Sequence, residues 1–298
     1  MRLGTSLWQR AGQWRRWPLV AAMVLSTALV AACGGAAPKS EGAPTAAPAV
    51  AAPATATRTP LSGTVTVFAA SSLTDVFKAI GAEFQRANPG VRVEFNFAAS
   101  SALAAQIGQG APADVYASAD TANMQKVTDQ SLIDGTPATF ARNRPVIVVP
   151  AANAAKIGDA RDLARPGTKL VLAAASVPIG NYSRQIIDRL AAMPDYGSAY
   201  REATLRNIVS NEQNVRAVLT KIELGEADAG IVYQTDALVS KEKVKTIAIP
   251  DGANVVALYP IGVVKETKNR EAAAAFLGFV TGPQGQALLL AAGFTPGS

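Results

Sequence analysis

The sequence predicts an α/β protein in which parallel sheets carry helices on both faces. Short β-type runs alternate with amphipathic helical patterns along residues 63–298, and this alternation is typical of parallel sheets covered by helices. The region spans 236 residues, which is enough for one large domain or two lobes. The chain has one cysteine, so it can form no internal disulfide and must be stabilised by its core.

The predicted elements follow one another in a regular order. The strands are predicted at residues 64–69, 92–97, 114–117, 146–149, 169–173, 229–233, 244–249 and 258–264. The helices are predicted at residues 73–87, 102–110, 123–130, 181–193, 196–204, 214–224, 236–239, 270–280 and 282–292.

The N-terminal segment has the features of a secretory signal peptide. Residues 1–32 contain four arginines, no acidic residue and an apolar run from residue 18 to residue 32. This run is shorter than the roughly 20 residues that a membrane-spanning helix needs, and an uncleaved membrane anchor is the alternative. Without the four arginines the formal charge falls from +6 to +2, so we expect no nucleic-acid partner.

Cys33 is the predicted site of lipidation. It directly follows the sequence LVAA at residues 29–32, which resembles a bacterial lipobox, whose cysteine is acylated and becomes the mature N-terminus. Residues 33–62 form the predicted anchor and linker, rich in Ala, Pro and Thr. Such a composition cannot bury enough apolar surface to fold, and its prolines favour an extended spacer. We therefore expect an exported protein, held by its lipid at the outer face of the cell membrane or in the periplasm.

The composition excludes several kinds of catalytic and metal site. The chain has no histidine, which excludes Ser-His-Asp and Cys-His nucleophilic sites and His-ligated metals. Catalysis by lysine or a carboxylate stays open on composition alone. We interpret Asp114 and Asp120 as turn caps rather than metal ligands, and Ser72 with Asp75 has the spacing of a capping box.

Four strand-to-helix turns carry the functional signal. Serine pairs follow the first two strands, at residues 71–72 and 100–101, and two later turns, at residues 178–182 and 211–216, also open helices. In an open α/β sheet, ligands bind at such turns. The first N–H groups of a helix lack internal partners and carry about half a positive charge, so they suit an anion. Serine is also an ordinary helix cap, and the spacing alone leaves both interpretations open.

Five sequence blocks stand out along the chain: TVFAASSL (66–73), FAASSALAAQI (97–107), GAPADVYASAD (110–120), GIVY (230–233) and GF (293–294). Together these blocks resemble the molybdate-binding proteins of ABC importers. The resemblance implies a type II periplasmic-binding-protein fold, which has two α/β lobes, each a sheet flanked by helices, and a ligand in the cleft between them. The implied lobes are residues 63–142 with 258–298, and residues 143–257, joined by crossing segments near residues 143–150 and 255–261.

The resemblance also implies the ligand contacts. Ser72 and Ser100 correspond to two oxyanion-binding serines, Ile179 and Val215 to backbone N–H donors, and Tyr233 to a hydroxyl donor. Molybdate is a dianion with four acceptor oxygens and no proton, so a site made only of donors fits it. The same residues would hold the molybdenum through its oxygens, with no direct cation ligand and no cofactor.

The implied function is capture of molybdate, and also tungstate, by a monomeric lipoprotein that delivers the anion to an ABC permease. Binding would close the lobes by a hinge motion. The alternatives are a binding protein for another tetrahedral oxyanion such as sulfate, an enzyme with a nucleophile in the Ser71–Ser72 pair, and a lipid-anchored adhesion or sensor domain. Donor count does not separate sulfate from molybdate, because both anions lack a proton.

Overall fold

The computed structural model of the protein describes residues 60–297. The predicted signal peptide, Cys33 and nearly all of the predicted linker lie outside these residues. The strands are β1 (Gly63–Ala70), β2 (Val91–Ala98), β3 (Val115–Ala117), β4 (Ile133–Asn143), β5 (Pro145–Pro150), β6 (Leu170–Ala173), β7 (Ile208–Glu212), β8 (Ala229–Tyr233), β9 (Val244–Ile247), β10 (Ala257–Val264) and β11 (Thr295–Pro296).

The helices alternate with these strands. They are α1 (Thr74–Ala87), α2 (Ser100–Gly108), α3 (Thr121–Asp129), α4 (Pro178–Ala192), α5 (Tyr200–Arg206), α6 (Val215–Glu223), α7 (Gln234–Val239), α8 (Arg270–Thr281) and α9 (Pro283–Ala291). Short 3-10 turns lie at Ser71–Leu73, directly before α1, and at Ala160–Ala164. Every predicted strand and helix is present, with ends that differ by a few residues.

The strands form two sheets. The first has the order β11-β4-β10-β3-β1-β2, and the second has the order β7-β6-β8-β5-β9. The first sheet thus takes its strands from residues 63–143 and 257–296, and the second from residues 145–247. We call each sheet with its helices a lobe: α1–α3, α8 and α9 belong to the first lobe and α4–α7 to the second. The residue limits predicted for the lobes stay predictions.

Both sheets are mixed, so the prediction of parallel sheets is wrong in part. β1 is parallel to β2 and β3, and β6 is parallel to β7 and β8. By contrast, β10 is antiparallel to β3 and β4, and β5 is antiparallel to β8 and β9. The reason lies in the path of the chain, because β4 continues almost directly into β5 and β10 returns beside β4 in the opposite direction.

Three strands escaped the sequence analysis. β4 contains Gly135 and Pro137, which interrupt the pattern of a strand. β7 has the polar sequence IVSNE at a sheet edge, where one side needs no partner strand, and β11 has only two residues.

Two asparagines brace the passage between the lobes. The amide of Asn143, at the end of β4, donates to Thr235 Oγ1 (2.8 Å) and accepts from the Arg144 N–H (2.9 Å). Asn254, just before β10, donates to the carbonyl of Pro145 (3.0 Å) and accepts from the Val255 N–H (2.8 Å). The two amides therefore give hydrogen-bond partners to backbone groups of residues 144, 145 and 255, where the chain passes between the sheets.

An apolar core holds helices onto the sheets. Residues Val76, Phe77, Ile80, Gly81 and Phe84 recur on one face of α1 and are buried, as expected for an amphipathic helix. Phe77 and Phe84 pack edge-on against Phe276 of α8, with ring centroids 6.3 and 5.3 Å apart. Such aromatic contacts contribute about 0.5–1.5 kcal/mol each beyond the buried area, so they fix the position of α1 and of the turn that precedes it.

The described residues offer neither an obvious membrane span nor a cation site. Among residues 60–297, no single helix is long and apolar enough to cross a membrane, and α8 with α9 meets that test only as a pair bent by 54°. Within the same range no group of three or more Asp, Glu, His or Cys side chains is placed to hold a metal ion.

Candidate binding site

A small cavity lies in the cleft between the two lobes. The space open to the centre of a water-sized sphere is only about 10 Å³, far below the roughly 300–1,000 Å³ of sites for drug-sized ligands. The cavity is lined by Ala70, Ser71, Ser72, Ala99, Ser100, Ala119, Val177, Pro178, Ile179, Val215 and Tyr233. The site is therefore sized for a ligand of a few atoms.

The five residues implied as ligand contacts all line this cavity. Ser72 and Ser100 come from the first lobe, and Ile179, Val215 and Tyr233 come from the second. All five are at most 4% exposed, so the lobes are closed around the cavity. Their role as ligand contacts stays a prediction, but the structure brings them together from five separate segments of the chain.

Ser100 is the first residue of α2 and is held on two sides. Its Oγ accepts a hydrogen bond from the Ala119 N–H (2.9 Å), and its carbonyl accepts one from the Tyr116 hydroxyl (2.9 Å). Since the Ala119 N–H uses a lone pair of Oγ, the hydroxyl proton of Ser100 is free to be donated to a ligand. Residue Ala99, which caps α2, contributes no side-chain acceptor to the free N–H groups of the helix.

Ser72 lies in the 3-10 turn that precedes α1. Its Oγ is 3.0 Å from the Tyr259 hydroxyl, and either oxygen could be the donor. When Tyr259 donates, the Ser72 proton is free for a ligand. The predicted capping box is wrong: α1 begins at Thr74 with no side-chain cap, because Ser72 turns to Tyr259 and Asp75 pairs with Arg216.

The second lobe contributes the N-terminus of α4. Pro178 is the first residue of this helix and Val177 its cap, and neither offers a side-chain acceptor. The first N–H groups of α4, that of Ile179 among them, therefore have no partner inside the helix. A Cβ at Gly180 would lie 2.0 Å from the carbonyl oxygen of Ala174, so only glycine lets α4 begin this close to the end of β6.

The N-terminus of α6 reaches the cavity in a similar way. The side chain of its cap, Asn214, accepts from the Ala217 N–H (3.0 Å). The N–H of Val215, the first residue of the helix, has no intrahelical partner. Val215 itself is 3% exposed and lines the cavity. The helix thus presents one backbone donor and the positive end of its dipole to the ligand.

Tyr233 supplies the most informative atom of the site. It ends β8, its side chain is buried, and its hydroxyl has no hydrogen-bond partner among the residues that the structure describes. An unpaired buried polar group costs about 1–3 kcal/mol. Burial, with Tyr259 and other charged or titratable neighbours, raises the pKa of Tyr233 well above its usual value, so the hydroxyl keeps its proton and acts as a donor.

The cavity wall is electrically neutral. None of the lining residues named above carries a charged side chain. Arg216, which follows Val215, pairs with Asp75 and Asp236 at 2.6 Å each instead of entering the cavity, as expected for an ion-paired side chain. Asp120 caps α3 by accepting the Asn123 N–H (2.9 Å), which confirms its interpretation as a cap. Hydroxyls and backbone N–H groups are left as the groups available to a ligand.

Sequence reasoning missed Ala119 and Tyr259. Ala119 lines the cavity and donates its N–H to Ser100, and it follows β3, so its place after a parallel strand could have revealed it. Tyr259 lies within β10 and supports Ser72 from a distance of 187 residues in sequence. No local pattern marks such a partner.

Comparisons with known proteins place the chain in a family. Residues 65–295 match the family described as bacterial extracellular solute-binding protein. The chain belongs to this family. It is 44% identical over 230 residues to molybdate-binding protein ModA of Mycobacterium tuberculosis, covering 77% of this chain and 84% of the relative. It is 35% identical over 240 residues to ModA of Escherichia coli, covering 78% and 89%. These matches confirm the resemblance inferred from the sequence blocks.

Solved structures of solute-binding proteins share the fold. The periplasmic molybdate-binding protein of Azotobacter vinelandii matches with a TM-score of 0.67 and 21% identity, over 78% of this chain and 98% of that one. The sulfate-binding protein SubI of Mycobacterium tuberculosis matches with a TM-score of 0.69 and 21% identity, over 78% and 86%. The predicted two-lobed solute-binding fold is confirmed, whereas the fold alone does not separate the two anions.

Proposed function

We propose that this solute-binding protein captures molybdate, and also tungstate, outside the cytoplasm and delivers the anion to an ABC permease. The observation that carries the proposal is that Tyr233 lines a small closed cavity and that its buried hydroxyl has no partner among the described residues. A bound oxygen acceptor would remove the cost of this unpaired donor. The sequence relatives named as molybdate-binding proteins, at 44% and 35% identity, support molybdate as that acceptor.

The donor set favours an anion without a proton. Ser72, Ser100 and Tyr233 supply hydroxyls, and the starts of α4 and α6 supply backbone N–H groups. Monoprotonated phosphate must donate a hydrogen bond, and no carboxylate is among the lining residues to accept it. Molybdate and tungstate carry no proton, so all their oxygens can accept hydrogen bonds from these donors. Sulfate also carries none and is the second candidate, favoured by the same donor set.

An enzymatic use of Ser72 finds no support in its surroundings. A serine nucleophile needs an adjacent general base. Ser72 Oγ forms a hydrogen bond with the hydroxyl of Tyr259. Burial raises the pKa of Tyr259 well above its usual value, so this hydroxyl does not accept the serine proton at neutral pH. Binding without reaction and without a cofactor is the simpler function for this cavity.

The proposal includes the lipid on Cys33 and a monomeric mature protein at the outer face of the membrane. Mass spectrometry of the protein isolated from cells tests the anchor. A diacylglyceryl adduct on an N-terminal Cys33 is expected, and an unmodified mature chain beginning elsewhere would contradict it.

Calorimetric titration tests the ligand. The processed protein in mild detergent is titrated with molybdate, tungstate, sulfate and phosphate at one ionic strength. We expect molybdate and tungstate to bind with similar affinity and phosphate to bind far more weakly. Sulfate binding as tight as molybdate would select the second candidate, and no heat with any of the four would end the proposal.

A further inference from the structure

Arg216 joins the two lobes beside the cavity. It is the second residue of α6 in the second lobe, and its guanidinium contacts two carboxylates. Nε lies 2.6 Å from Asp236 Oδ1, in α7 of the same lobe, and Nη2 lies 2.6 Å from Asp75 Oδ2, in α1 of the first lobe. One side chain therefore connects the two lobes.

The two ion pairs differ in environment. The Asp236 side chain is fully buried, whereas the Asp75 side chain is 52% exposed and Arg216 is 25% exposed. Breaking a buried pair leaves an uncompensated charge, so Asp236 fixes the arginine firmly in its own lobe. The planar guanidinium offers donors on two sides and can hold Asp236 with one while it reaches Asp75 with another.

The three charged residues lie one layer outside the ligand contacts. Arg216 directly follows Val215, Asp75 lies three residues after Ser72, and Asp236 lies three residues after Tyr233. Each member of the Asp75–Arg216–Asp236 triad is thus carried by a segment that also carries a cavity residue. A movement that separates Val215 from Ser72 must also separate Arg216 from Asp75.

We infer that the Asp75–Arg216–Asp236 triad is a latch that forms when the lobes close and slows release of the bound anion. Arg216 is a positioning residue, since it lines no part of the cavity and acts by holding α6 against α1. The inference rests on the proposed binding function and adds a determinant of residence time to it. Because the Asp75 pair forms after the anion has entered, the latch acts on the dissociation rate and leaves the association rate unchanged.

Asp75→Asn tests the latch with the smallest disturbance. The substitution removes the charge of a half-exposed side chain and leaves the buried Arg216–Asp236 pair in place. Glu83→Gln is the matched control, because Glu83 lies on the same helix and pairs with Arg86 within it. Asp75→Glu is the conservative variant that restores the charge. Association and dissociation of molybdate are followed by stopped-flow tyrosine fluorescence, and thermal unfolding verifies that all variants fold.

We expect Asp75→Asn to raise the molybdate dissociation rate about fivefold, the upper range for a partly exposed ion pair, with an unchanged association rate. Asp75→Glu should return the rate to within about twofold of the wild type, and Glu83→Gln should leave it unchanged. A dissociation rate of Asp75→Asn equal to that of the control would overturn the latch.

The outcome separates the latch from the proposed function. If the wild-type protein binds none of the tested oxyanions, the proposed function fails, and the latch, which rests on it, fails with it. If the wild-type protein binds molybdate and Asp75→Asn releases it at the same rate as Glu83→Gln, the latch fails and the proposed function stands.

Discussion

The two halves of the cavity supply their donors in different ways. The first lobe offers serine hydroxyls that already have protein partners, Ser72 with Tyr259 and Ser100 with Ala119. The second lobe offers backbone N–H groups at the starts of α4 and α6 and the unpaired hydroxyl of Tyr233. The serine oxygens of the first half are therefore held by the protein before a ligand arrives, with their protons free to be donated, whereas the Tyr233 hydroxyl of the second half gains a partner only with a ligand in place.

This difference suggests an order of events. A half whose hydroxyls are oriented by the protein can receive the anion without rearrangement, since its donors are already aimed. The other half gains most from closing on the anion, because closure then gives Tyr233 a partner. Substitutions in one half should therefore differ from substitutions in the other half in their effects on affinity and stability.

The largest effect is expected from Gly180→Ala in the second half. The new Cβ would lie within 2.0 Å of the Ala174 carbonyl oxygen, so α4 must move and withdraw its N–H groups. Two lost bonds to a charged ligand at about 1.5–3 kcal/mol each raise the Kd for molybdate at least 100-fold. The control is Gly278→Ala in α8, where a Cβ meets no atom within 4 Å. Equal affinities of the two variants by calorimetry would show that α4 does not bind the anion.

Ser100→Ala removes a donor from the first half. The variant loses a bond to the anion and leaves the Ala119 N–H without its acceptor, so we expect a loss of about 3 kcal/mol, or about 100-fold in Kd. Ser101→Ala, one residue later in α2, is the control. A calorimetric Kd of Ser100→Ala within a factor of three of this control would remove Ser100 from the site.

The buried acid behind the second half should respond to pH. Burial raises the pKa of Asp236 from 3.8 to about 6, against the opposing effect of Arg216. The folded state thus holds the proton more tightly than the unfolded chain. The resulting stabilisation is complete below pH 3.8 and is lost as the pH rises through about 6, a change of about 2–3 kcal/mol.

Asp236→Asn provides the reference for this measurement. The difference in unfolding free energy between the wild type and Asp236→Asn, from urea denaturation, should shift against the wild type between pH 4 and pH 7. A difference that stays constant over this range would mean that Asp236 titrates as it does in the unfolded chain.

The smallest of these effects is expected from Tyr233→Phe. The variant loses one hydroxyl bond to the anion, and we expect about a tenfold rise in Kd for molybdate. Without ligand its thermal stability should not fall, because the removed hydroxyl has no partner. Tyr200→Phe is the contrasting control, since that hydroxyl donates to the Ala160 carbonyl (2.7 Å) and its loss should destabilise the protein by about 1 kcal/mol. A marked loss of unliganded stability in Tyr233→Phe would contradict the difference between the two halves.

The features of the fold that could be predicted from the sequence are those that depend on local sequence pattern. The alternation of strands and helices and the four strand-to-helix turns follow from periodicity and turn residues, and the structure has them all. The strand β4 was missed because Gly135 and Pro137 hide it, and its pairing with β10 depends on contacts far apart in sequence. In the second sheet, β5 likewise pairs antiparallel with β8 and β9, which lie far from it in sequence.

The binding site was also predictable only where it depends on local sequence pattern. Helix starts such as those at Ser100 and Val215 are visible in sequence, but the choice of five contacts depended on the family blocks. Tyr259 as a partner of Ser72, and Arg216 as a bridge between α1 and α7, depend on side chains that meet only after folding.

The central claim is that a closed cavity of neutral donors holds the anion between the two lobes. A crystal structure of the protein with molybdate, with the metal located by its anomalous scattering, tests it most directly. We predict one molybdenum peak in the cavity, with anion oxygens within hydrogen-bond distance of the Tyr233 hydroxyl, Ser100 Oγ and the Val215 N–H. A peak outside the cleft, or an anion held by arginine or lysine side chains instead of these donors, would contradict the account.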